Sequence, residues 1–180
     1  MNMNDPYLLT PWAVLISIRP EWCEKILRGE KTIEVRKNRP KLKTPFKCYI
    51  YCTKPKREYE DYIELEYPLP QFFGGGKVVG EFTCDRIFQI NVLDNGCIKD
   101  WNYEHMEMAC LGYDELAAYI GKGNHGYGWH ISDARVFVEL PSFKDTLELD
   151  LPIPRYRPAL YEVERPPQSW RYMQELDGME

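Results

Sequence analysis

The stretch that decides the reading is Gly29-Glu30-Lys31-Thr32-Ile33-Glu34-Val35-Arg36. Its alternation puts Thr32, Glu34 and Arg36 on one face of a strand and Ile33 and Val35 on the other. Two cations, a hydroxyl and a carboxylate thus gather within a few residues, a grouping that suits an anion or the polar edge of a base. Just upstream, Pro20 suits the first position of a helix, and Glu21 and Glu24 favour its positive end. Trp22, Cys23, Ile26 and Leu27 recur at helical spacing, and Gly29 ends the helix. Before it, residues 12–17 form an apolar run containing Val and Ile, read as a buried strand that Arg19 and Pro20 close.

Downstream, residues 38–45 hold two prolines and three basic residues and read as a loop, followed by a strand over 46–53. Residues 54–76 are charged, tyrosine-rich and punctuated by proline, and end in Gly74-Gly75-Gly76; they read as a surface insertion. Residues 77–92 are rich in β-branched and aromatic side chains and predict one bent strand or two. A short helix over 114–120 stops at Gly121, and a further strand spans 127–139. Beyond Pro141 the chain is punctuated by Pro152, Pro154, Pro158, Pro166 and Pro167, so 141–180 reads as an irregular extension. The order of elements lacks the regular helical crossovers of a doubly wound sheet. It predicts an α+β fold in one domain over 1–180, with a core at 12–140 built as a small β-barrel with short helices at its rim.

The chain has 180 residues, with 23 Lys and Arg against 28 Asp and Glu, a net charge of −5. That charge is unevenly placed: residues 1–57 hold 13 basic and 5 acidic side chains, residues 58–180 hold 10 and 23. A basic third can attract a polyanion even on an acidic molecule, because recognition follows local potential. No apolar run reaches the length of a membrane span, and the opening Met1-Asn2-Met3-Asn4-Asp5 lacks the basic and apolar regions of an export signal. A cytoplasmic protein with no membrane association is expected. Six cysteines (Cys23, Cys48, Cys52, Cys84, Cys97, Cys110) then read as reduced thiols, and His105, His125 and His130 show no paired ligand spacing. Neither a metal nor a cofactor is expected.

The Gly-x-Lys-Thr-x-Glu-x-Arg pattern of residues 29–36, with the strand and helix before it, resembles the signature of the ASCH domain family. The resemblance extends to residues 78–86 and 126–137, and Arg165-Pro166-Pro167-Gln168-Ser169-Trp170 looks like the closing motif of phage and prophage members. It implies a PUA-like β-barrel whose groove, between helix, following strand and barrel wall, binds RNA or a nucleotide, with a role in RNA metabolism or its regulation. Carried over residue by residue, that groove takes in Lys31, Thr32, Glu34 and Arg36, with Arg19 at the helix entry.

Arg36 can offer a planar fork to a phosphate or base edge, and Lys31 a point charge. Glu34 can accept from a base amino group or hold Arg36 in place. The competing reading makes Glu34 and Arg36 an ion network that shapes the barrel. Lys37, with Arg39, Lys41 and Lys43 beyond it, would add salt-sensitive phosphate contacts. Trp22, Tyr49, Tyr51, Trp129 and Trp170 are candidates for stacking, and His130, pointing opposite to Trp129, would face the groove.

Some small ASCH proteins are amidohydrolases of acetylated cytidine that use a lysine, a threonine and a glutamate. Lys31 matches the lysine; Glu34 stands where the threonine would be, and Glu107 is the nearest stand-in for the glutamate. On that reading Lys31 and Glu34 would be catalytic. A third reading takes the acidic segment Glu58-Tyr59-Glu60-Asp61-Tyr62-Ile63-Glu64-Leu65-Glu66 as a docking face for a basic host protein.

Overall fold

A computed structural model describes residues 12–53, 76–137 and 166–175. Within them the chain runs β1 (Trp12–Ile18), α1 (Pro20–Leu27), β2 (Ile33–Arg36), β3 (Phe46–Cys52) and β4 (Lys77–Val92). Then follow β5 (Ile98–Lys99), α2 (Tyr103–Ala109), α3 (Tyr113–Ile120), β6 (His125–Val136) and β7 (Trp170–Gln174). Most of the insertion, the acidic segment 58–66 and most of the extension lie outside the described residues.

The strands make one mixed sheet in the order β2-β6-β4-β3-β1-β7, with β5 paired to the end of β4. β1 and β3 run parallel, which their long connection through α1 and β2 permits; every other pairing is antiparallel. β4 is the spine, pairing with β3, β5 and β6, and its register against β6 shifts at Glu81/Thr83 and again at Cys84/Ile87. Such bulges bend a strand and increase local twist, so the sheet curls.

The barrel expectation is corrected at this point. β2 and β7, the two ends of the path, share no ladder among the described residues. β2 is only four residues long, and Pro166 and Pro167 just ahead of β7 supply no amide donors. Among the described residues the architecture is an open α+β sheet of seven strands with three short helices.

Both faces of β1 are buried, which explains a run that does not alternate. Val14, Ile16 and Ile18 join Cys23, Ile26, Phe46, Phe82 and Trp129 in the main core. Ala13 and Leu15 meet Tyr49, Tyr51, Val78 and Phe137 on the other side. Ile33 and Val35 pack against Trp101, Leu116 and Ile120 beneath α2 and α3. α1 ends as its sequence implies: Gly29 has φ +74°, and the amides of Gly29 and Glu30 donate to Ile26 and Lys25 carbonyls. All six cysteines are free thiols; Cys23, Cys48, Cys52 and Cys84 are buried, whereas Cys97 is exposed.

Three elements go beyond the sequence reading: the two-residue β5, β7 and α2. β7 arises inside the stretch taken as irregular and pairs antiparallel with β1. α2 is a short helix capped by the Asn102 side chain, which accepts from the His105 amide at 2.9 Å.

Gly128 on β6 makes room for one wall of the second core. A Cβ there would stand 2.6 Å from the Trp101 ring and 2.9 Å from Ile33. Gly128→Ala is therefore expected to cost about 1–3 kcal/mol through overpacking, read from urea melts.

Candidate functional site: a buried Lys-Glu-Arg cluster

The polar face of β2 turns into the curl of the sheet. Glu34 accepts from Arg36 Nη2 at 2.9 Å through one carboxylate oxygen and faces Lys31 Nζ at 3.5 Å through the other. All three lie beneath the surface, at 2, 6 and 8% exposure for Lys31, Glu34 and Arg36. The expectation of an open groove is corrected for these side chains: the end of α2 and the Trp22 ring meet Lys31, and β1 and the approach to β7 meet Arg36. The shaping ion pair weighed from the sequence is present.

Each cation also reaches a different element. Lys31 Nζ donates to the Ala109 carbonyl at 2.5 Å, at the C-terminal end of α2, where a helix favours positive charge. Thr32 secures that geometry through its backbone, its amide donating to Met108 and its carbonyl accepting from Ile131. Trp22 lays its ring 4.9 Å from Lys31 Nζ. Arg36 Nη2 donates to the Ser17 carbonyl on β1 at 2.6 Å, and Nη1 to Ser169 Oγ beside β7 at 3.4 Å. Where the ladder stops, a guanidinium spans the seam.

The cluster carries two cations to one carboxylate. Burial pushes the Lys31 ammonium below the usual lysine range, against the pull of Glu34. Arg36 Nε and Trp129 Nε1 are buried with no acceptor among the described residues. Tyr119 lies in the field of the cluster: burial raises its hydroxyl, Arg36 lowers it, and Glu34 and Arg19 add opposite contributions.

The other expected site residues lie elsewhere. Arg19 is exposed and stands 4.0 Å from Glu21. Lys37 is exposed, over the Tyr119 ring at 5.4 Å. His130 pairs with Ile33 in the β2–β6 register, so it points away from the face of Glu34, and its Nδ1 meets Asp85 Oδ1 at 2.5 Å. Glu107 is exposed on α2 and hydrogen-bonds Tyr103. Ser17, Ala109 and Ser169 complete the cluster unforeseen, since two of them act through carbonyls and the third depends on the position of β7. Among the described residues no group of three or more His, Cys, Asp or Glu could hold a metal. No described helix is long and apolar enough to cross a membrane.

The pairing pattern ranks substitutions. Glu34→Gln leaves two buried cations uncompensated and is expected to cost about 3–5 kcal/mol in chemical melts, whereas Lys31→Met falls within about 2 kcal/mol of the parent. Lys31 binds its proton less tightly folded than unfolded. Parental stability relative to Lys31→Met should therefore rise as pH climbs from the lowered folded value toward the ordinary 10.5, and stay flat at lower pH.

Comparison with known proteins matches residues 16–118 to the ASCH domain model. The crystal structure of ASCH from Zymomonas mobilis superposes with a TM-score of 0.56 at 17% identity, covering 91% of this chain and 88% of that one. Two mutant proteins of the same Zymomonas mobilis protein give 0.57 at 17% identity, covering 91% of this chain and 91% and 89% of theirs. No curated protein matches. The phage-like segment 165–170 lies beyond the matched region. With the signature cluster inside a match that spans more than half its length, the chain belongs to the ASCH domain family.

Proposed function

We propose that the chain binds RNA through a nucleotide held over the Lys31–Glu34–Arg36 cluster, in a role within RNA metabolism or its regulation. The observation that carries this reading is the charge imbalance: a buried carboxylate between two cations leaves one positive charge for an anion or electron-rich base edge. Half-buried Trp22, beside Lys31, offers a ring for stacking, and the exposed cations Arg19 and Lys37 both act on Tyr119, which lies in the field of the cluster.

A second reading, an amidohydrolase of an acetylated nucleoside, is favoured by one fact. An amine whose basicity is lowered by burial is available at lower pH to take a proton from an attacking water, as a general base requires. Glu34 in place of a hydroxyl leaves Lys31 to act as a base rather than through a neighbouring nucleophile.

Titration of a short single-stranded RNA panel and a mononucleotide, at low and moderate salt, tests the binding reading on the parent, Lys31→Met and Arg36→Gln, with thermal melts to establish folding. Both variants are expected to lose about tenfold or more in affinity, in line with the strength of charge-assisted contacts. Folded variants that keep parental affinity and salt slope overturn the site. Release of acetate from acetylcytidine, lost in Lys31→Met, would establish the hydrolase instead.

A further inference from the structure

The loop over residues 37–45 carries four cations and no acidic residue. It holds a cavity of about 350 Å³ whose lining includes Arg39, Lys41 and Lys43. All three are exposed, and Arg39 stands over the Tyr127 ring at 5.7 Å. The loop is fastened to the sheet end, because the Lys41 amide donates to the Tyr172 hydroxyl at 2.7 Å.

Tyr172 belongs to a row of rings. In the β1–β7 register Trp12 is opposite Gln174, Val14 opposite Tyr172 and Ile16 opposite Trp170, so Trp12, Tyr172 and Trp170 share one face. Trp170 and Tyr172 lie 5.4 Å apart between centroids, and Tyr172 and Trp12 6.4 Å. The row runs from the core outward: Trp170 packs on buried Trp129, whereas Tyr172 is 41% and Trp12 57% exposed. Ser169, which Arg36 reaches from the buried cluster, immediately precedes Trp170.

We propose that this loop and this row of rings form a track for single-stranded RNA. Bases stack on Tyr172 and Trp12, while phosphates run along Arg39, Lys41 and Lys43. Exposed rings take only unpaired bases, since those of a duplex are already stacked, and the acid-free loop complements a phosphodiester chain. The track rests on the RNA reading above and supplies the path of the strand away from the nucleotide at the cluster.

Fluorescence anisotropy of a labelled oligouridylate of about ten nucleotides, on the full chain at about 50 and about 200 mM salt, tests it. The triple variant Arg39→Gln, Lys41→Gln, Lys43→Gln is expected to lose about tenfold or more in affinity and to flatten the log–log salt slope by about 2. Trp12→Ala is expected to lose about tenfold. Mononucleotide binding stays at the parental value in both, because the cluster is untouched. Parental oligonucleotide affinity and slope in the triple variant and in Trp12→Ala overturn the track. Absent parental binding, equal affinity for duplex RNA, or equal affinity for polyglutamate overturns it too. Failure of the cluster reads separately, as unchanged mononucleotide binding in Lys31→Met.

Discussion

The carboxylate of Glu34, held between two cations inside the sheet, is the constraint on which the rest depends. An ion buried alone would be prohibitively costly, so Lys31 and Arg36 must stay beside it. Through Lys31 it is tied to the end of α2, and through Arg36 to β1 and the approach to β7. Four residues of β2 thereby connect parts of the chain that no ladder joins. The arrangement works as a specification more than as a source of stability: slipping β2 by one residue would exchange its two buried faces, turning Glu34 and Arg36 toward the apolar core beneath α2 and α3 and Ile33 and Val35 toward the polar cluster.

Much of this was legible in the sequence, for identifiable reasons. β1, α1 and β3 follow from local signals that act over a few residues: an apolar run, a proline and a glycine at the helix ends, a pause at two prolines. The polar face of β2 was legible as a face, but its direction was not, because alternation distinguishes two sides without saying which is inside. Charges ordinarily go outward, and here the curl of β4 reverses that. β7 was hidden by the prolines before it and by its short length, and its pairing with β1 spans most of the chain. Ser169 and Ala109 enter the cluster through long-range placement, which no residue pattern encodes. His130 was correctly placed opposite Trp129, yet the face it occupies belongs to Asp85.

The basic first third of the chain now has a spatial meaning. Part of its charge is internal and serves the architecture, as Lys31 and Arg36 show. Another part, Lys37, Arg39, Lys41 and Lys43 on the loop before β3, stays in solvent. Membership of the ASCH domain family fits this division, since the signature residues are those that fold inward.

The four sealed cysteines have a practical corollary. Burial raises the Cys23 and Cys48 thiols well above the usual range and Cys84 to about 12, so thiolate is scarce at neutral pH. An alkylating reagent then reaches exposed Cys97 and half-buried Cys110 first, and the four buried thiols only when the molecule breathes. Because these sulfurs sit on α1, β3 and β4, the order in which they become labelled would act as a native stopwatch for the sequence in which the sheet comes apart.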